Sequence, residues 1–285
     1  MIVITVINGA KGSDNMSNKK DSLGDRMKEY YENRAKTYLT RRMPVIIRLD
    51  GRAFHTFTKG FKRPYDEIFH NAMNQTMKYL CENIQGCKIG YTQSDEITLL
   101  LTDYDTLTTD AWFGYGVQKM CSVAASMATL AFNRILPSEI EKYLVSWHFG
   151  LTPQCVRIQE EHKEYAEALN KAIEKGAMFD ARCFNIPKEE VTNCFIWRQQ
   201  DATRNAIQML GQCNFSDKEL HKKSCNEIQD MLMTQKGINF NDMATEFKRG
   251  VCCIKTDRNW NIDTEIPIFT QDRDYIERFV NVEEK

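Results

Sequence analysis

No apolar run in this chain approaches the ~20 residues needed to cross a membrane. A cytoplasmic protein with no membrane partner is therefore expected. The opening Met1-Ile2-Val3-Ile4-Thr5-Val6-Ile7 is too short for a span and lacks the basic segment that begins a secretory signal. It runs into a polar stretch, within which Met16 offers an alternative start. Residues 1–20 are expected as an N-terminal extension whose first fifteen residues are either disordered or a short added strand. Neither sign of charge is in surplus: 38 Lys and Arg against 39 Asp and Glu give a net charge of −1. The whole molecule is thus no electrostatic magnet for a polyanion, and nucleic-acid binding would need a local basic patch. There is no Cys-x-x-Cys pair among the ten cysteines, and Cys252 and Cys253 are adjacent. That excludes a zinc knuckle and a regular disulfide framework, and leaves reduced thiols filling core gaps. His148 and His162 lack metal-ligand partners at suitable spacing and read as structural. There is no internal repeat and no low-complexity linker.

What is present is ordinary globular material. The chain has 285 residues, 42% apolar and 27% charged, enough for one large domain or two closely packed ones. Leu23–Tyr38 reads as a helix on the domain edge, anchored by Met27, Tyr30, Tyr31 and Tyr38. Val45–Leu49 is a β-branched run suited to a strand covered on both faces. Asp66 can cap a helix in which Phe69, Ala72, Met73, Thr76, Leu80 and Ile84 recur at helical spacing, ending at Gly86. Lys88–Gln93 and Ile97–Thr102 are joined by so short a link that they must form an antiparallel hairpin. Ala111–Ile135 is a second long helix, with Val117, Met120, Ala124, Met127 and Ala131 on one face and Pro137 as its stop. Phe179–Ile186 is a further strand.

The order β-α-β-β-α-β predicts an α+β protein, a palm-like sheet of ferredoxin type with additional helices packed on it. Residues 21–187 would form the palm and 188–285 a helical part with short terminal strands. In that second part Val191, Cys194, Arg198, Ala202, Ala206 and Met209 trace a helix ending at Gly211. Ser216-Asp217-Lys218-Glu219 has the form of a capping box, opening a helix to about Met233. Arg249–Lys255 and Arg258–Phe269 read as a hairpin or short strands.

Two acidic turns carry the chemistry. The first strand ends in Asp50-Gly51-Arg52, and the hairpin tip is Ser94-Asp95-Glu96. In this topology the hairpin tip can sit beside the first turn. Carboxylates gathered at one spot repel unless a divalent cation neutralises them, and Mg²⁺ favours a few carboxylate oxygens, water and substrate phosphate. Two such ions can hold an attacking oxygen and a leaving pyrophosphate. Gly51, without a side chain, lets its carbonyl approach a metal and its neighbours' amides face phosphate. Arg52-Ala53-Phe54-His55 would run beneath a bound nucleotide, with Phe54 or His55 stacking on the base. An Asp-Gly alone is ordinary turn chemistry; the conjunction of both turns with the palm order makes the case. Trp197 reads as core packing, with base stacking as the alternative. Lys62 and the cluster Lys218, His221, Lys222 and Lys223 read as solvated charge with a diffuse attraction for RNA backbone.

Five segments in order carry a family resemblance. They are Arg48-Leu49-Asp50-Gly51-Arg52-Ala53-Phe54-His55-Thr56-Phe57, Arg63-Pro64-Tyr65-Asp66, Tyr91-Thr92-Gln93-Ser94-Asp95-Glu96, Phe179-Asp180-Ala181-Arg182 and Trp197-Arg198-Gln199-Gln200-Asp201. Together they resemble the tRNA-histidine guanylyltransferase family, including its Thg1-like branch, over roughly Val45–Lys255. The resemblance implies nucleotide addition to the 5′ end of tRNA in the 3′-to-5′ direction, with GTP and ATP as substrates. The 5′ end would be activated by adenylylation or arrive as a triphosphate. It implies two Mg²⁺ ions on Asp50, Asp95 and the Gly51 carbonyl, with Glu96 required for activity. Asp50 to His55, Arg63, Ser94, Asp95, Lys119, Ser122 and Arg182 would contact the nucleotide, and Arg198, Arg204 and Asn205 the tRNA. It also implies a homo-tetramer built from dimers. Where relatives of the eukaryotic type carry His-Ile-Asn-Asn, this chain has Thr203-Arg204-Asn205-Ala206. That favours template-dependent repair of truncated 5′ ends over strict addition of one G to tRNA-His. Ala181 stands where the family has Gly, and Arg63 where it has Lys; a guanidinium there can still meet a triphosphate.

Two rival readings stand beside this one. A palm-type nucleotide cyclase would need a Gly-Gly-Asp-Glu-Phe hairpin, and Gln93-Ser94-Asp95-Glu96 is there instead. A non-catalytic RNA-binding module with a degenerate site sits poorly with three intact acidic residues.

Overall fold

The computed structural model describes residues 22–148 and 155–281. The N-terminal extension and the side chains of His148 and His162 lie outside the described part. The chain divides into two units after Lys36. The first contains helix α1 (Ser22–Met27), followed by a π turn at Lys28–Glu32 and a 3₁₀ turn at Asn33–Ala35. Met27, Tyr30 and Tyr31, expected as anchors, are exposed here, as is Tyr38 in the second unit.

The second unit is built on one antiparallel sheet. Its elements are β1 (Val45–Gly51), α2 (Phe54–Phe57), α3 (Glu67–Asn83), β2 (Cys87–Gln93), β3 (Glu96–Leu101), α4 (Val117–His148), α5 (Cys155–Lys175) and β4 (Phe179–Asn185). Next come α6 (Lys188–Asn214), α7 (Asp217–Leu220), α8 (Cys225–Lys236), α9 (Thr245–Arg249), β5 (Val251–Thr256), β6 (Asn259–Asp263) and α10 (Asp274–Glu277). The strand order is β4-β1-β3-β2-β5-β6. The first four follow the expected palm arrangement, and the C-terminal hairpin extends it.

β1 is covered on both faces, as its composition requires. Val45, Ile47 and Leu49 belong to one core with Met73, Met77 and Leu80 of α3 and Met120, Ala124 and Phe132 of α4. Ile46 belongs to a second core with Leu100, Val191 and Phe195 of α6, and the C-terminal Phe269 and Ile276. A third, smaller core joins α6 and α8 through Ala206, Leu210, Ile228 and Leu232. Asp66 caps α3 as expected, its carboxylate accepting from the Phe69 N–H at 2.9 Å. Among the described residues no helix is long and apolar enough to cross a membrane.

Several boundaries differ from the sequence reading. The edge helix expected over Leu23–Tyr38 breaks into turns that end at Ala35, and the helix expected from Ala111 opens with a 3₁₀ turn at Trp112–Tyr115 before α4 begins. Pro137 does not stop α4, which continues to His148. Leu136 and Ile140 on either side of it are buried, and that packing offsets the lost backbone bond. The single helix expected from Ser216 to Met233 is two. A second capping box, Ser224 with Glu227, starts α8 afresh after a break at His221–Lys223. The Ser-x-x-Glu spacing was there to be seen.

Candidate active site

The two acidic turns meet at one rim of the sheet. The Gly51 N–H donates to the Asp95 carbonyl oxygen at 3.1 Å, and Asp50 and Glu96 are directly opposed in the β1–β3 register. Local chemistry holds this corner. A Cβ on Gly51 would lie 2.3 Å from a ring carbon of Phe54, so only glycine lets the chain turn over that ring. Phe54 is 4% exposed and packs with Phe57, Phe69, Phe132 and Phe179 at centroid separations of 4.9–5.8 Å. Each such pair contributes about 0.5–1.5 kcal/mol beyond its buried area. Of the two residues offered for base stacking, Phe54 is thus core and His55 is exposed. Ala53 and Ser94 both adopt left-handed backbone, with φ of 55° and 54°, at a cost of about 1–2 kcal/mol each. Strain is therefore held on both sides of the rim. The Arg52 N–H donates to the Met178 carbonyl at 2.9 Å, tying the rim to the approach of β4.

Strand alternation sorts the side chains into rows on the face beneath α6. Asp180, Asp50 and Glu96 stand abreast on β4, β1 and β3, and one step behind them Arg182 and Arg48 are opposed. Burial, followed by Glu96 and Asp180, pushes Asp50 above the usual carboxylate range, while Arg182 and Arg48 pull it back. Burial pushes Asp95 up to about 6, with Asp50 and Glu96 adding to the rise, while its own backbone N–H and the Ser94 hydroxyl, both donating to the carboxylate, oppose it. Asp180 was not among the expected site residues. Its spacing from Arg182 repeats that of Arg48 from Asp50, a signal that needed the β1–β4 register to be read.

Glu96 is held differently from the other two acids. Arg48 meets its Oε1 at 3.2 Å and Arg198 its Oε2 at 2.7 Å. Arg198 also pairs with Asp201 at 2.7 Å, and Asp201 with Arg204. The Arg198 side chain is 7% exposed, so it ties α6 to the hairpin, while Arg204 and Asn205 are exposed on the outer side of α6.

A cleft of about 350 Å³ opens beside the rim, lined by Phe54, His55, Lys62, Arg63, Asp66, Ser94, Asp95, Met209 and Gln212. Arg63 rides on a loop pinned by Asp66, which accepts from the Lys62 N–H at 3.0 Å and from the Tyr165 hydroxyl at 2.7 Å. The Arg182 guanidinium is 3.1 Å from Asp180 and 4.0 Å from Asp50. Lys119 and Ser122 are not brought to the rim. They flank Cys121, whose sulfur lies 3.6 Å from that of Cys183, and Cys183 pairs with Ile47, well down β1 from Asp50. The Lys119 ammonium sits over the Phe113 ring at 4.6 Å.

Among the described residues no three His, Cys, Asp or Glu side chains converge to form a complete metal cage. Mg²⁺ does not ask for one: it keeps water and binds through one or two carboxylates and substrate oxygens. Two carboxylates raised above their usual range by burial and by neighbouring acids fit that preference.

The chain is similar to known proteins over most of its length. A family model described as tRNAHis guanylyltransferase (Thg1) matches residues 24–187. The uncharacterized protein R259 of Acanthamoeba polyphaga mimivirus is 28% identical over 267 residues, 88% of this chain and 85% of that one. The tRNA(His) guanylyltransferase of Saccharomyces cerevisiae is 26% identical over 220 residues, 72% of this chain and 80% of its own. A bacterial tRNA(His) guanylyltransferase (Thg1)-like protein solved in complex with ATP is 45% identical with a TM-score of 0.76. A structure of such a protein with GTP is 40% identical with a TM-score of 0.72. Each of the two covers 91% of this chain and 99% of its own. With its palm sheet, paired acidic turns and a family match over more than half its length, the chain belongs to the tRNAHis guanylyltransferase (Thg1) family of nucleotidyltransferases.

Proposed function

We propose that this protein is a Mg²⁺-dependent nucleotidyltransferase that adds nucleotides to the 5′ end of tRNA in the 3′-to-5′ direction. The observation that carries the reading is the Gly51–Asp95 backbone bond at 3.1 Å, which couples the two acidic turns beside a cleft. Asp50, Asp95 and the Gly51 carbonyl would hold the metal. Bound there, two ions would supply charge neutralisation for the attacking hydroxyl and the departing pyrophosphate. The chain's own side chains do the rest. Arg63 and Arg182 offer guanidiniums to a triphosphate from the two sides of the rim. His55 lies exposed at the cleft, within reach of a base. Glu96, with each oxygen occupied by an arginine, holds the hairpin tip in place and so acts through Asp95.

The departure at Thr203-Arg204-Asn205-Ala206 supports template-dependent repair of truncated 5′ ends. The bacterial relatives solved in complex with ATP and with GTP support both nucleotides as substrates. The test is incorporation of labelled GTP into a tRNA lacking its first nucleotide, with and without Mg²⁺. Truncated substrates carrying each base at the opposing position would separate templated from untemplated addition. Equal incorporation without divalent cation, or formation of cyclic dinucleotides instead, would overturn the reading.

A further inference from the structure

Trp197 does not pack in the core as its helical setting led us to expect. Half of it is exposed, at 50%, and it is the one tryptophan among the large exposed apolar residues of the described chain. Its ring lies over two guanidiniums, with the Arg48 Cζ 5.0 Å and the Arg198 Cζ 4.4 Å from the centroid. These are the arginines that occupy the two oxygens of Glu96. The indole therefore roofs the charged layer directly behind the acidic rim. Along α6 the exposed stripe continues to Arg204, seven residues on, whose side chain is 58% exposed. Across the sheet, opposite Arg48, Arg182 is likewise exposed.

An outward π-face beside exposed guanidiniums is what binds unpaired nucleic acid: bases stack on the ring and cations follow the phosphates. Cation–π attraction to Arg48 and Arg198 accounts for the covered half of the ring and leaves its exposed half to be explained. The position also decides the occupant. The ring is one layer from the carboxylates, so a base on it belongs to a residue at or next to the reacting end. We propose that Trp197 is a stacking platform for an unpaired base of the RNA substrate at its 5′ end, with Arg204 receiving the adjoining phosphate. This rests on the tRNA reading given above and adds a binding subsite to it.

The experiment measures RNA and GTP affinity separately. The probes are a 5′-phosphorylated tRNA acceptor-stem hairpin with an unpaired end, followed by fluorescence anisotropy, and a fluorescent GTP analogue. Stacking on an aromatic residue is lost by alanine substitution at a cost of roughly 10- to 100-fold in affinity. Trp197→Ala should weaken RNA binding by about that factor and leave GTP affinity unchanged. Trp197→Phe should restore most of it. Trp197→Leu, which still covers the arginines but offers no π-face, should remain weak. Because stacking is not counterion release, the deficit should persist at high salt, unlike that of Arg204→Ala. A Leu variant that binds RNA as tightly as the parent, or an Ala variant that weakens GTP and RNA alike, would reduce the indole to a lid on Arg48 and Arg198. If the alanine variant fails to fold, the Phe–Leu comparison decides alone. Absent GTP incorporation by the parent, with RNA binding that still depends on the ring, would overturn the reaction and leave the subsite standing.

Discussion

The Arg198 guanidinium stands 2.7 Å from the Glu96 carboxylate and an equal 2.7 Å from Asp201. One buried cation thus fastens the longest C-terminal helix to the hairpin that carries Asp95. Replacing it with an apolar residue would leave Glu96 to Arg48 and Asp201 to the exposed Arg204. Breaking a buried pair from one side costs about 3–5 kcal/mol, discounted here because Glu96 is partly exposed. Arg198→Met should therefore lower the stability read from urea unfolding by roughly 2–3 kcal/mol. A change under about 0.5 kcal/mol, the size of an ordinary surface substitution, would mean that the network is ornamental.

Gly51→Ala forces a methyl into the Phe54 ring. Overpacking of this kind costs about 1–3 kcal/mol, and the rim must shift to relieve it. Thermal unfolding should show a lower midpoint and nucleotide incorporation should fall. Adding Phe54→Leu should recover part of the stability, because the two changes share one contact. Strictly additive losses would show that the clash is not the cause.

The carboxylates set a pH dependence whose sign is unusual for acidic groups. Asp95 binds its proton more tightly folded than unfolded, with a value near 6 against an ordinary 3.8, and Asp50 shifts in the same direction. Folding is thus helped while both are protonated, and that help disappears as pH rises from about 4 through 6. Without divalent cation, this site's contribution to stability should fall across that window. Mg²⁺ should raise the melting temperature more at pH 7.5 than at pH 5, since it competes with the proton. Equal Mg²⁺ shifts at both values would place the ion elsewhere.

Asp50→Asn and Asp95→Asn should separate stability from activity. Each removes a charge that the folded protein tolerates poorly, so the metal-free melting temperature should hold or rise. Activity should fall by about a thousandfold, since charge stabilisation by a bound metal is worth several kcal/mol. Variants that retain more than about a tenth of the parent rate would remove these residues from the chemistry.

Much of the fold was legible because periodicity and caps speak locally. The run Val45–Leu49, the cap at Asp66 and the short link at Ser94-Asp95 each named their element without help from elsewhere. The convergence of Asp50 and Asp95 followed from topology. What escaped notice depends on pairing between distant segments. Asp180 joins the site only through its alignment with Asp50. Arg198 was read as a contact for RNA, yet its burial beneath Trp197 comes from the way α6 crosses the second face of the sheet. Lys119 and Ser122 were brought in by likeness to relatives, and nothing in their own spacing could have told where along β4 they would lie.

The alignment of β1 has a further reach. Because neighbouring residues point to opposite faces, deletion of Ile46 alone would send Arg48 and Asp50 into the aromatic core and turn Ile47 and Leu49 toward α6. A single loss or gain in this strand must be absorbed by an irregularity like that between Cys87 and Ile89 of β2, or be matched by a second. Descendants of this gene should therefore keep the parity of the strand's length, or carry such an irregularity, even where they abandon its spelling.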